Sequence, residues 1–352
     1  MGEGRQGAAV AVGRATGMRV AGTRDLDPLA SLLADDRVVV LDGGLATQLE
    51  AQGADLTDAL WSARLLLEDP EAIVQAHLAF FRAGARVATT ASYQASFEGF
   101  ARRGIDRETG ADLLRLSVTL ADHARRIAMD TAAADGATAS GPLVVAASIG
   151  PYGAMLADGS EFRGRYGLTV AELASFHRER LETLADTDAD LLACETIPEL
   201  EEGVALADLL DELATPGWLS FSCADGTRLR SGAPVGEAFA LAEGSFAVKA
   251  VGINCTAPEY VDELLERARS VTSKPLVVYP NSGEGWDASG RAWLPAVSGT
   301  TPVRVDGVSA RRWIDAGARL VGGCCRVMPD AIAEVAAVAA AVNVAGPAPR
   351  PS

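Results

Sequence analysis

The sequence predicts an α/β protein folded as a single (β/α)8 TIM barrel, with its active site at the C-terminal rim of the strands. Three observations carry that expectation. Short apolar runs alternate with amphipathic helical stretches along 352 residues, a length that suits one large barrel with loop insertions. Eight such runs occur, the number that a closed parallel barrel needs. The runs end in polar, glycine-rich or cysteine-containing tips, which is where barrels of this kind carry their chemistry. An open doubly wound sheet is the runner-up, but Asp42-Gly43-Gly44 after the first run is too short for a dinucleotide-binding glycine turn.

The first strand is expected at 38–41, ending in Asp42-Gly43-Gly44. A helix at 70–83 follows, with Ile73, Val74, His77, Phe80 and Phe81 on its apolar side and Gly84 as its stop. The second strand, 87–89, leads into Thr90-Ala91-Ser92-Tyr93. The alanine-rich stretch 131–140 reads as an exposed connection before the third strand, 143–148, whose tip is Ile149-Gly150-Pro151-Tyr152-Gly153. Strand 191–195 lies between helices at 170–185 and 197–213, and a fifth strand is expected at 219–223. The sixth, 251–255, ends in Asn254-Cys255, and a helix at 259–270 leads to the seventh, 276–279, with the tip Pro280-Asn281-Ser282. Ala316-Gly317-Ala318 stops the last helix before strand 319–322, which ends in Gly323-Cys324-Cys325. Residues 1–30 are expected as a poorly ordered arm in which Met18 is an alternative start, 31–343 as the barrel, and 344–352 as a frayed tail.

A net charge of −16, with only two lysines and no basic cluster, argues against a nucleic-acid partner, because phosphate contacts need grouped cations. No apolar run is long enough to span a membrane, and Arg14 and Arg19 interrupt any leader-like segment, so a cytoplasmic protein without membrane attachment is expected. Five scattered cysteines are too few for a disulfide scaffold and fit a reducing compartment. His77, His123 and His177 all fall in helical patterns away from the rim, which disfavours a Ser-His-Asp triad or a His-rich metal site. Lys249 and Lys274 precede strands, at the wrong rim for Schiff-base lyase chemistry.

Cys255 and the pair Cys324-Cys325 end the sixth and eighth strands, so three thiols can converge on one rim. Three thiolates suit a soft tetrahedral zinc site with a fourth position open to substrate. The competing readings are three buried cysteines without metal, or a strained vicinal disulfide between Cys324 and Cys325. Cys194 precedes Glu195, so if Glu195 points into the barrel, Cys194 faces outward and packs against helices. Cys223 is read as structural.

Together Leu41-Asp42-Gly43-Gly44, Leu60-Trp61-Ser62-Ala63, Thr90-Ala91-Ser92-Tyr93-Gln94-Ala95, Gly252-Ile253-Asn254-Cys255, Tyr279-Pro280-Asn281-Ser282-Gly283-Glu284 and Gly322-Gly323-Cys324-Cys325 resemble the homocysteine S-methyltransferase family. The likeness runs from about Val38 to Ala340 and is closer to the S-methylmethionine branch than to the betaine branch. It implies one Zn2+ per chain on Cys255, Cys324 and Cys325, with homocysteine sulfur completing the site, and a role for Asp42 and Glu195 in taking the substrate ammonium. The substrate carboxylate is expected on backbone N–H groups near Ser148 to Gly153.

A sulfonium methyl donor, S-methylmethionine or S-adenosylmethionine, needs aromatic faces, and Tyr93, Tyr152 and Trp286 on rim loops are the candidates. Asn281 and Glu284 either bind polar donor groups or cap their loop. The alternatives are a betaine-dependent methyltransferase on the same barrel and a non-catalytic zinc–thiolate redox sensor. A monomer or weak homodimer is expected.

Overall fold

The structure, a computed structural model, describes residues 27–56, 61–135, 141–283, 285–287, 292–294 and 303–345, with the side chains of 61–63, 285–287 and 292–294 outside the description. The strands are β1 (Val39–Val40), β2 (Val87–Thr89), β3 (Val144–Ile149), β4 (Leu191–Ile197), β5 (Gly217–Phe221), β6 (Val248–Asn254), β7 (Leu276–Tyr279), β8 (Gly285–Asp287), β9 (Ala292–Leu294) and β10 (Ala318–Val321). Between them run α1 (Leu45–Ala51), α2 (Trp61–Glu68), α3 (Pro70–Arg82), α4 (Phe97–Ala101), α5 (Arg107–Ala134) and α6 (Tyr152–Leu156). The second half carries α7 (Val170–Ala185), α8 (Leu200–Glu212), α9 (Val235–Gly244), α10 (Val261–Val271), α11 (Gly307–Asp315) and α12 (Pro329–Ala345).

Eight parallel strands form one sheet in the order β1-β10-β7-β6-β5-β4-β3-β2. A parallel bridge between Leu41 and Val87 joins its two edge strands, giving the expected (β/α)8 barrel. Strand side chains alternate, so each strand feeds two separate cores. Val39, Leu41, Val87, Val144, Ala146, Leu191, Ala193, Trp218, Ala250, Val277 and Leu320 pack inside the ring. Their neighbours, such as Val40, Ala88, Val145, Leu192, Cys194 and Leu219, pack outward under the helices. Trp218 fills the interior, with its indole N–H donating to the Tyr279 hydroxyl at 3.0 Å.

Local chemistry starts the helices where the strands need them. Asp69 accepts from Ala72 N–H at 3.2 Å and is followed by Pro70 at the first turn of α3. Thr169 and Glu172 close a reciprocal capping box on α7. Asp306 caps α11 through Ser309 N–H at 2.8 Å.

All eight expected barrel strands are present, with small shifts at their ends. Strand β5 begins at Gly217 and stops at Phe221, so Cys223 lies in the turn beyond it. In the stretch read as an exposed connection, α5 continues to Ala134 with most of residues 131–135 exposed, and residues 136–140 lie outside the description. Leu29, within the segment expected as a poorly ordered arm, is fully buried with the barrel-interior cluster. At the other end α12 continues to Ala345, past the expected start of the tail. The rest of both terminal segments lies outside the described residues. A small antiparallel hairpin, β8–β9, sits in the loop after β7 and was not expected. Among the described residues, no helix is long and apolar enough to cross a membrane.

Candidate metal and substrate site

Strand β6 delivers Cys255 to the rim, and β10 delivers Cys324 and Cys325. The Cys255 sulfur lies 2.9 Å from that of Cys324 and 3.6 Å from that of Cys325. All three sulfurs fall within 4.8 Å of one another, a cluster able to hold a metal ion. Close backbone contact makes this possible. A Cβ on Gly322 would lie 2.6 Å from Leu41 Cβ and 2.7 Å from the Asp42 carbonyl oxygen, so the ends of β1 and β10 meet only because that residue is glycine. Cys324 N–H donates to the Pro280 carbonyl at 2.8 Å, and Ser282 N–H donates to the Cys325 carbonyl at 3.1 Å. Thiol hydrogen bonds from Cys255 and Cys324 hold Cys325 well below the usual thiol range.

Glu195 continues the inward side of β4 and is 8% exposed. Burial raises its carboxyl to about 7, the neighbouring Cys324 charge adds to the rise, and the Ser148 and Tyr279 hydroxyls oppose it. The Ser148 hydroxyl donates to Glu195 Oε1. Asp42, at the end of β1, accepts from Thr89 N–H at 2.7 Å and from the Thr89 hydroxyl at 2.9 Å, while burial still pushes its carboxyl well upward. Among the described residues, neither carboxylate forms an ion pair with a lysine or arginine, and burial is the largest influence on both. Two buried, uncompensated carboxyls beside a thiol cluster suit a cationic group on a ligand.

Asn254 holds the rim together. Its side-chain oxygen accepts from Thr196 N–H at 2.7 Å and the Ser220 hydroxyl at 2.9 Å, and its amide donates to Thr196 Oγ1 at 2.7 Å. Thr196 and Cys255 both take left-handed backbone conformations, with φ of 62° and 48°. For a β-branched residue that conformation is strained, and the Asn254 bonds on each side of Thr196 keep it in place.

The structure brings Asp42, Glu195, Tyr93, Cys255, Cys324 and Cys325 together. Tyr93 follows β2, and its phenol titration feels Cys255 and Glu195 and a hydrogen bond with Thr196. Tyr152 is placed differently. Its ring packs on Tyr166 at 5.2 Å and Phe176 at 4.9 Å, in an aromatic cluster against α7. Asn281 sits in the loop stitched to the cysteine pair, and its side-chain oxygen is buried without a hydrogen-bond partner among the described residues. Trp286 lies on β8 opposite Trp293, with its side chain outside the description, as is all of Glu284. Three of the peptide groups in the stretch expected to receive a carboxylate are engaged within the protein: Ser148 N–H bonds Thr90 Oγ1, Gly150 N–H bonds the Tyr93 carbonyl, and Tyr152 N–H bonds Glu202. The side chains of Thr89, Ser148, Asn254 and Tyr279 also bond at this rim, and the sequence reading gave none of these side chains a role.

Cys194 packs in the outer core, as its position before Glu195 requires, with burial raising its thiol to about 12. His77 and His177 are fully buried in helices, and His123 is exposed.

The sequence profile described as homocysteine S-methyltransferase matches residues 39–339. The homocysteine S-methyltransferase YbgG of Bacillus subtilis is 44% identical over 314 residues, covering 89% of this chain and 98% of that one. The homocysteine S-methyltransferase of Escherichia coli is 46% identical over 318 residues, covering 88% and 98%. The crystal structure of the homocysteine methyltransferase MmuM from Escherichia coli in its metallated form superposes with a TM-score of 0.78 at 44% identity, covering 88% of this chain and 99% of that one.

Proposed function

The chain belongs to the homocysteine S-methyltransferase family, and from that premise we propose that it transfers a methyl group from a sulfonium donor to homocysteine at a zinc–thiolate centre. The observation that carries this reading is the set of three rim sulfurs within 4.8 Å, flanked by two buried carboxyls that form no ion pair among the described residues.

The donor set fits the metal. Tetrahedral zinc with Zn–S of about 2.3 Å separates its sulfurs by about 3.8 Å. The Cys255–Cys325 spacing of 3.6 Å is close to that, and the Cys255–Cys324 spacing is shorter, at 2.9 Å. Cys255, Cys324 and Cys325 would hold one zinc per chain. When bound there, zinc would convert the homocysteine thiol, with an ordinary pKa of about 8.5, into a nucleophilic thiolate at neutral pH.

The protein's own residues then orient the substrates. Glu195, held by Ser148, takes the homocysteine ammonium together with Asp42, whose carboxyl is set by Thr89. Homocysteine sulfur attacks the donor methyl carbon, and the old S–C bond breaks with its electron pair left on the donor sulfur. Methionine forms on one side, and the donor leaves as a neutral thioether.

A cationic donor suits the anionic surroundings of the three thiolates, Glu195 and Asp42. S-methylmethionine is the first choice and S-adenosylmethionine the second. Tyr93, beside Cys255 and Glu195, is the aromatic best placed to face the sulfonium, with Asn281 and Trp286 in the adjoining loop and Tyr152 behind. Five free cysteines support a reducing, cytoplasmic setting, with the chain acting as a monomer or weak homodimer.

A methyl-transfer assay on zinc-loaded protein, offering homocysteine with each of S-methylmethionine, S-adenosylmethionine and betaine, tests the proposal. Methionine should form fastest with a sulfonium donor. Faster turnover with betaine overturns the donor, and zinc binding without turnover by any donor overturns the enzyme reading.

A further inference from the structure

A polar relay lies buried behind the site, between α7, α8 and two rim loops. His177, Arg180 and Glu202 are 0%, 2% and 0% exposed. Arg180 Nη1 donates to the Ala95 carbonyl at 3.1 Å, and Nη2 donates to the Gly150 carbonyl at 2.6 Å and to His177 Nδ1 at 2.8 Å. His177 Nε2 lies 2.8 Å from Glu202 Oε1, and the same oxygen accepts Tyr152 N–H at 2.6 Å. Because Nδ1 accepts from a guanidinium, the imidazole proton sits on Nε2 and is donated to Glu202. Burial and the adjacent arginine keep the ring neutral. The relay therefore runs from guanidinium through a neutral imidazole to the Glu202 carboxyl, which burial raises to about 8.

Its targets are informative. Ala95 belongs to the loop after β2 and Gly150 to the loop after β3, and one guanidinium holds both. Tyr93 stands two residues before Ala95, and its carbonyl accepts Gly150 N–H at 3.1 Å. Its ring lies so close to Gly150 that an added Cβ would come within 2.7 Å of Cε2. The Phe176 ring covers the guanidinium at 5.6 Å and meets Tyr152 at 4.9 Å. Apolar packing of similar volume is often at least as stable as a buried ionic group, so a relay aimed at two loop carbonyls points to geometry as its role.

We propose that Arg180, oriented by His177 and Glu202, is a positioning residue that sets the spacing of the loops after β2 and β3, and so seats Tyr93 beside the reacting sulfurs. The inference rests on the proposed function only in assigning Tyr93 to the donor side. Among the described residues, Arg180 and its two partners make no hydrogen bond to the three rim thiols, Asp42 or Glu195, so the effect should fall on the donor and spare homocysteine.

The test compares His177→Leu with His177→Gln in the full-length, zinc-loaded protein. Leucine fills the space but makes neither bond, whereas glutamine can accept from Arg180 and donate to Glu202. His177→Leu should raise the Michaelis constant for S-methylmethionine roughly three- to tenfold, as expected for one lost polar contact acting through a loop. Homocysteine affinity and zinc content should stay unchanged. Amide hydrogen exchange should quicken in residues 93–96 and 150–153, and His177→Gln should restore both readouts. Arg180→Lys, which keeps the charge but cannot bridge both carbonyls, should reproduce the leucine signature and serves if His177→Leu does not fold. Unchanged exchange in the two loops overturns the proposal, as does exchange that rises evenly through the barrel and is not restored by glutamine. A wild-type protein inactive with every donor would sink the functional reading alone, since the exchange comparison still decides this one.

Discussion

Replacing Glu195 with Gln isolates the charge assigned to the homocysteine ammonium. The side chains have the same shape, the Ser148 hydroxyl can still donate to Oε1, and the position is 8% exposed, so little else changes. What disappears is a charge-assisted hydrogen bond in a largely dry site, worth on the order of 1.5–3 kcal/mol. That corresponds to roughly ten- to a hundredfold weaker homocysteine binding, with the remaining Asp42 carboxyl favouring the lower half. Zinc content should not move. The effect should also depend on pH in a definite direction. With its carboxyl raised to about 7, Glu195 in the free site is neutral below that value and charged above it. The gap between wild type and Glu195→Gln should therefore be full above about pH 7 and narrow as the pH falls. Calorimetric titration of homocysteine into the zinc-loaded proteins at several pH values reads both effects. Equal affinities at high pH, or loss of zinc from the variant, would refute the assignment.

Single Ser replacements at Cys255, Cys324 or Cys325 should each lose metal by elemental analysis. Cys194→Ser should keep it, while losing about 1–3 kcal/mol of stability because a hydroxyl enters apolar packing. Trp286→Ala should raise the Michaelis constant for S-methylmethionine severalfold and leave that for homocysteine alone; a joint shift of both constants with thermal stability would reduce Trp286 to loop packing. Gly322→Ala should destabilise the barrel by about 1–3 kcal/mol in urea unfolding, because its methyl would sit 2.6 Å from Leu41 Cβ; wild-type stability would show that β1 and β10 do not meet as described.

The barrel strands were legible because each is an apolar run between helix stops and polar tips, and β2 and β7 match their expected ranges residue for residue. Cys255, Cys324 and Cys325 were legible for a related reason: strand ends of a parallel barrel share one rim, so topology alone brings distant thiols together. Asn254 was harder to see. Its partners, Thr196 and Ser220, lie 58 and 34 residues away, and nothing in local spacing shows which strand an amide will bond. Backbone N–H groups near Gly150 looked available because glycine allows close approach, but that closeness is used by Tyr93. His177 lies in a helix away from the rim, as its sequence pattern implies, and its relay to the loops depends on Arg180 and Glu202 meeting it in three dimensions. The hairpin β8–β9 escaped notice because its strands are three residues each, too short for a clear alternation.

The central claim is that homocysteine sulfur completes a metal centre held by three cysteines. X-ray absorption at the zinc edge, with and without homocysteine, reads the number of sulfur ligands directly. Three sulfurs and a lighter atom in the free protein should become four sulfurs on adding homocysteine, each at about 2.3 Å. A sulfur count that stays the same when homocysteine is bound would contradict the zinc–thiolate mechanism at its root.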